Sequence, residues 1–149
     1  MEFRIATSAD IPQIQRVRHS VKENTLSDPS LVPDRDVEDY ITRRGRGWVA
    51  EENGCIYGFA IVSVLDRNVW ALFILPEAEK KGIGRKLHNM MMNWYFSQTE
   101  QEIWLSTAPG TRAEGFYLSA GWTPAGNYGK GERKFIMTRN DWERGRTVS

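Results

Sequence analysis

The sequence predicts an α/β fold, a mixed sheet with helices packed on it, and three observations carry that expectation. Asn53-Gly54 separates two apolar runs, Trp48 to Glu52 and Cys55 to Leu65, and this pair is the favoured tight turn between adjacent antiparallel strands. Ile83, Leu87, Met90, Met91, Trp94 and Tyr95 recur at helical spacing and make one wide apolar face. Along the whole chain, strand-like and helix-like runs follow one another in the order β-α-α-β-β-β-α-β-α-β.

Taken in order, Phe3 to Ala6 is a short first strand. Thr7-Ser8-Ala9-Asp10 supplies N-cap chemistry, Pro12 is tolerated in the first turn, and Ile11, Ile14, Val17, Arg18 and Val21 continue helix one. Asn24 to Pro33 holds turn formers and two prolines and is expected to be a loop or a broken helix. Val37, Tyr40 and Ile41 predict a second short helix that ends near Gly45 and Gly47. The Asn53-Gly54 hairpin follows, and Asp66-Arg67-Asn68 turns the chain into Val69 to Leu75, a third strand of the meander. After the long helix, Ile103 to Ser106 is a further strand. Thr111-Arg112-Ala113-Glu114 has the form of a capping box, opening a short helix that ends at Gly121. Residues 125–131 hold three glycines and are expected to form a loop, Arg133 to Thr138 a last strand, and the tail from Asn140 to be frayed.

Composition bounds the function. A chain of 149 residues, 40% apolar and 26% charged, suits a single domain over 1–149 with a sizeable core. Its net charge of +1 gives no bulk attraction to nucleic acid or to an anionic membrane. The cations are concentrated locally, around 80–86 and 43–46, which suits a polyphosphate ligand better than a long polyanion. Cys55 is alone and the two histidines are far apart, so neither a disulfide framework nor a zinc site of ordinary spacing is expected, and a reducing cytoplasm fits. There is no basic segment followed by an apolar run at the N-terminus and no stretch of membrane-spanning length, so the expectation is a soluble cytoplasmic protein.

The segment from Leu75 to Leu87 carries the most chemistry. It passes from an apolar strand through a basic turn with Gly82 and Gly84 into the long helix. Glycines leave no Cβ in the way, so amides at the helix start can close on a bound group, and the helix dipole with Lys80, Lys81, Arg85 and Lys86 favours an anion there. In isolation, such a glycine pair is also an ordinary turn. It is not a dinucleotide-binding fingerprint, because Leu87 stands where the third glycine would be, and it lacks the Lys-Ser/Thr pair of a P-loop. Tyr117 is core on position alone, and Phe116 is core. His19 and His88 are placed on helix surfaces with no chemistry, and Cys55 is a small strand residue.

Together these residues resemble the GNAT superfamily of N-acetyltransferases over nearly the whole chain. Leu75-Pro76-Glu77 followed by Lys81-Gly82-Ile83-Gly84-Arg85 is similar to the family's pyrophosphate loop, and Arg112-Ala113-Glu114-Gly115-Phe116-Tyr117 followed by Gly121-Trp122 is similar to its second hallmark. The resemblance implies a largely antiparallel sheet whose central strands splay, Val69–Leu75 parting from Ile103–Ser106. It implies acetyl-CoA as cosubstrate, with pantetheine along Phe73, Ile74 and Leu75. The pyrophosphate would lie on Lys81, Gly82, Ile83, Gly84, Arg85 and Lys86, with Arg112 completing the cofactor set. It gives Tyr117 the role of general acid to the departing thiolate.

Three positions depart from the family pattern. Glu79 stands where Gln or Arg is usual, Gly110 replaces a common Asn, and Val69 to Phe73 holds no acid, which leaves the base unassigned with Glu51 and Glu23 as poor candidates. The activity implied is acetyl transfer to a primary amine of a small molecule or peptide, read by residues 22–36, by Trp70 and Phe73, and by the loop around Tyr128. The alternatives are a non-catalytic CoA-binding sensor of the same fold and, further off, a nucleotide-binding module. Exposed sheet edges would allow a homodimer.

Overall fold

The computed structural model describes residues 1–20, 32–79 and 81–147. Its frame is a seven-stranded sheet. β1 (Glu2–Ile5) lies at one edge, followed by a 3-10 turn at Ser8–Asp10 and α1 (Ile11–Ser20). α2 (Asp34–Asp39) runs on through a π-helical turn, Tyr40–Arg44, into β2 (Gly45–Glu52), β3 (Cys55–Ser63) and β4 (Asn68–Ile74). Then come α3 (Ile83–Gln98), β5 (Ile103–Thr107), α4 (Arg112–Ser119), β6 (Thr123–Tyr128), β7 (Glu132–Met137) and α5 (Arg139–Thr147). The spatial order is β1-β2-β3-β4-β5-β7-β6, and every neighbouring pair is antiparallel except β4 with β5.

Strand alternation sends successive side chains to opposite faces, and each face buries its own cluster. On the α3 side Trp48, Ala60 and Val62 meet Leu87, Met91, Tyr95 and Phe135. On the α1 side Val49, Phe59 and Ile61 meet Ile14, Val17 and Val37. Each large aliphatic side chain fully buried in this way contributes roughly 1.5–3 kcal/mol. The Asn53-Gly54 hairpin forms as expected, with both residues at positive φ (53° and 79°), the geometry of the turn that matches strand twist.

The parallel pair positions the site. β4 and β5 share one bridge, Asn68 with Trp104, where the Trp104 amide donates to the Arg67 carbonyl at 3.0 Å. Beyond it the strands part, and one edge of β4 has no strand partner. The β3 edge of β4 carries a bulge: Ile61 pairs with Ala71 and Val62 with Val69, which leaves Trp70 as the extra residue. Trp70 stacks on Tyr40, with ring centroids 3.9 Å apart and planes within 7°.

Three expectations are corrected. Residues 125–131 are not simply a loop, because β6 occupies Thr123–Tyr128 and pairs with β7. The tail is α5 rather than frayed: Trp142 is buried and its indole N–H donates to Asn93 Oδ1 at 3.1 Å. The helix expected to end near Gly45 does so, since the π-helical turn stops at Arg44 with Gly45 as its C-cap; Gly45 also opens β2, so tight against β3 that a Cβ would lie 1.8 Å from the Val62 carbonyl oxygen. His88 is not on a surface; it is fully buried. Val21 and most of the expected 24–33 loop lie outside the described residues, as do Glu23 and Lys80. Among the described residues, no helix is long and apolar enough to cross a membrane.

Candidate functional site

The gap between β4 and β5 is a cleft of about 550 Å³. β4 forms one wall from Val69 to Ile74, Leu105 to Thr107 of β5 the other, and the starts of α3 and α4 close it with Gly82, Gly84, Arg85, Arg112 and Tyr117. The cleft communicates with both sheet faces, since Leu72 and Ile74 pack on the α3-side cluster while Trp70 and Phe73 pack on the α1 side.

The turn into α3 is built for a close approach. Leu75 leads into a 3-10 turn at Pro76–Ala78, and Gly82 caps the helix in the left-handed region at φ 78°, with open space where a Cβ would stand. Among the described residues no side chain caps α3, so its first-turn amides are left to donate elsewhere. The Lys86 amide already donates to the Gly82 carbonyl at 3.1 Å. Gly84 faces Ile74 and Phe116, the wall where α3 meets α4.

The residues singled out in the sequence fall into two groups. Phe73, Ile74, Gly82, Gly84, Arg85, Arg112 and Tyr117 line the cleft. Leu75 and Ile83 bury their side chains in the core, so only their backbone can face a ligand. Lys81 is exposed on the turn, and the Lys86 ammonium sits 4.3 Å from the centre of the Phe3 ring, on the β1 side. Arg85 reaches to α4, donating to Ser119 Oγ at 3.2 Å with its guanidinium 5.4 Å from the Phe116 ring. Glu79 and Arg112 both line the cleft and form an ion pair at 2.8 Å.

α4 starts as the capping-box pattern anticipates: Thr111 Oγ1 accepts from the Glu114 amide at 3.3 Å. The Glu114 carboxylate accepts from the Gly110 amide at 3.0 Å and from Arg133 at 2.7 Å, and these bonds hold its pKa below the usual glutamate range. The short helix so anchored places Tyr117 at the bottom of the cleft. Burial pushes the phenol well above its usual pKa, so it keeps its proton, and the hydroxyl makes no hydrogen bond among the described residues.

Two groups near the cleft escaped sequence reasoning. His88 lies behind Tyr117, with ring centroids 6.4 Å apart, and against Phe116, Trp122 and Trp142. The Trp122 indole N–H can only donate, and it does so to His88 Nε2 at 3.0 Å, which fixes the proton on Nδ1, facing Asn89 Oδ1 at 3.1 Å. Burial lowers the His88 pKa to about 4, so the ring is neutral. The second group is Glu132: Ser106, in the cleft wall, donates to its carboxylate at 2.7 Å. Glu51, by contrast, is held by Arg4 at 3.0 Å in the β1–β2 ladder, apart from the cleft.

Comparison with known proteins follows this geometry. Residues 13–122 match the Acetyltransferase (GNAT) family, and the chain belongs to that family. No curated protein sequence matches it significantly. Among solved structures, a GNAT-family acetyltransferase from Staphylococcus aureus superposes with a TM-score of 0.79 at 18% identity, covering 92% of this chain and 98% of that one. The PaiA N-acetyltransferase of Thermoplasma acidophilum, solved in complex with coenzyme A, gives 0.77 at 15% identity, covering 93% and 99%. A ribosomal-protein-alanine N-acetyltransferase from Brucella melitensis gives 0.74 at 19% identity, again covering 93% and 99%. Identities this low establish a shared fold, the mixed and largely antiparallel sheet with splayed central strands.

Proposed function

We propose that the protein transfers the acetyl group of acetyl-CoA to a primary amine, by direct attack within the β4–β5 cleft. One observation carries this reading: beyond its single bridge to β5, β4 presents an unpaired edge that leads straight to the uncapped start of α3. An amide-bearing arm can complete that edge as an added strand, satisfying its free N–H and C=O groups. A diphosphate suits the amides beyond Gly82, where the helix dipole and Arg85 supply positive charge and the glycines leave room.

The residues then divide the work. The backbone of Phe73, Ile74 and Leu75 holds the arm, and Lys81 to Lys86 with Arg112 hold the phosphates. Bound acetyl-CoA would supply an acetyl group activated as a thioester. The amine nitrogen bonds to the acetyl carbon as the carbon–sulfur bond breaks. Tyr117, kept protonated by burial, gives its proton to the departing sulfur. Glu132, one hydrogen bond behind Ser106 in the wall, offers a carboxylate toward which the proton lost by the amine can pass. A cytoplasmic location belongs to the same reading, on the lone Cys55.

Thiol release from acetyl-CoA with a panel of primary amines tests the proposal directly. Amine-dependent release that falls in Tyr117→Phe supports it. Tight CoA binding with no release by any amine would favour the sensor reading instead.

A further inference from the structure

On the α1 side of the sheet, against two rings that line the cleft, stands a cation with no ion pair among the described residues. Arg18 stands in the last turn of α1, its guanidinium carbon 5.1 Å from the Trp70 ring centre and 5.2 Å from that of Phe73, and both rings line the cleft. Its Nε is buried without a hydrogen-bond partner, and the guanidinium forms no ion pair among the described residues. Of the four acids on α2, Asp34 accepts from Gln15, Glu38 from Ser8, and Asp39 from Arg43 and Arg44, and none of the four, Asp36 included, forms an ion pair with Arg18. Elsewhere the fold spends acids freely on arginines: Arg4 holds Asp10 and Glu51, Arg133 holds Glu114, and Arg139 holds Glu100 and Glu143.

We infer that the acceptor amine carries a carboxylate, and that Arg18, held over Trp70 and Phe73, binds it. The inference rests on the transferase reading above and names its substrate class. Aromatic faces fix the plane of a guanidinium and leave its donor edge directed outward, and a planar fork of N–H groups matches a carboxylate in two parallel hydrogen bonds. A part-buried guanidinium with no counter-ion among the described residues is costly, and an arriving anion removes that cost. Burial lowers the pKa of the Arg18 guanidinium, with no acid among the described residues contributing against it. The amine would lie at the strand gap and the carboxylate on the α1 side, so the two ends of one small molecule would be recognised by different faces of the sheet.

The test compares matched acceptors in thiol release from acetyl-CoA: glycine, 4-aminobutyrate and 6-aminohexanoate against their carboxamides, together with Ala-Glu-Ala amide and aminoethyl phosphate. In the wild type, at least one carboxylate should show a KM about tenfold below its amide. That ratio should approach one in Arg18→Met and recover in part in Arg18→Lys. Preference for the tripeptide over the amino acids would assign the carboxylate to an acidic peptide side chain. Preference for the phosphate, or equal KM values throughout the wild-type pairs, would overturn the inference.

Calorimetry with the N-acetylated acids and their amides separates this inference from the reading beneath it, because binding needs no turnover. Binding of the acids that depends on Arg18, with no thiol release by any amine, would keep the carboxylate site and discard the transferase. Thiol release from neutral amines with no such binding would discard the carboxylate site alone. Thermal unfolding of both Arg18 variants checks that they are folded, and melting temperatures close to that of the wild type are expected.

Discussion

Arg112 and Glu79 face each other in the lining of the cleft, Nη1 to Oε2 at 2.8 Å, one from the start of α4 and the other from the turn before α3. The pair joins the two segments between which a phosphate would settle. Both side chains are partly solvated, 50% and 28% exposed, so the pair itself adds little to stability. In the proposed binding mode its effect would fall on the ligand: a phosphate would have to draw Arg112 from Glu79 and would be repelled by the carboxylate left behind. Glu79→Gln should therefore bind CoA more tightly, by about three- to tenfold at low ionic strength, with the gain shrinking at high salt. Calorimetry with CoA at two salt concentrations measures it, and an unchanged affinity at low salt would place the phosphates elsewhere.

Gly84 allows stability and binding to be separated. A Cβ there would stand 3.5 Å from Ile74 Cγ1 and 3.8 Å from Phe116 Cε1, ordinary contacts, so Gly84→Ala should fold normally. Gly84→Glu puts a carboxylate in the first turn of α3, where the dipole and the loss of a helical glycine both favour it by about 0.5–1 kcal/mol. The same charge opposes a diphosphate. The expected outcome is a melting temperature held or slightly raised with CoA affinity down at least about a hundredfold. Unchanged affinity would refute the assignment of this loop.

His88 makes the fold acid-sensitive. In the unfolded chain an imidazole takes a proton near pH 6.5, whereas burial among Phe116, Trp122 and Trp142 lowers its folded value to about 4. Between those values the unfolded state binds more protons, so stability is complete above about pH 6.5 and is lost as pH falls toward 4. From pH 7 to 5 the loss amounts to roughly 2 kcal/mol. Denaturant unfolding of the wild type and of His88→Gln at the two pH values isolates this contribution, because carboxylates common to both cancel. An equal acid-induced loss in the two proteins would mean that the ring is protonated in the native state.

The parts of the fold that were legible from sequence are those whose signals are local. Asn53-Gly54 needs only its own two φ angles, and the α3 face repeats its apolar residues over four turns. β6 escaped because all six of its residues are exposed and it pairs only with β7, so no alternation of burial marks it. α5 escaped because a highly charged segment is anchored through Trp142 to Asn93, 49 positions away. His88 is polar within an apolar helix, and the Trp122 indole that makes its burial tolerable comes from 34 residues downstream. In the site, Gly82, Gly84 and Arg85, singled out in the sequence, do line the cleft, whereas Lys81 and Lys86 do not. The Glu79–Arg112 pair, Ser106 with Glu132, and Arg18 over Trp70 and Phe73 all join segments distant in sequence, which periodicity cannot reach.

Tyr117 can be tested as an acid because its surroundings hold it neutral. Phe116, Trp122 and His88 pack around the ring, and burial alone raises the phenol's pKa. Tyr117→Phe keeps that packing and removes only the hydroxyl, so the variant should fold and bind CoA as the wild type does. Its kcat for thiol release should fall about a hundredfold or more, the usual scale for losing a general acid. The pH profile adds a sign. A phenol with a raised pKa stays protonated past the usual tyrosine value, so kcat/KM should show no alkaline decline due to this group below about pH 10. A descending limb near pH 8 to 9 that disappears in Tyr117→Phe would show instead an easily ionised phenol, and the cleft would then have to stabilise its anion. Full activity in the variant would mean that the thiolate departs unprotonated, carried off by the positive end of α3.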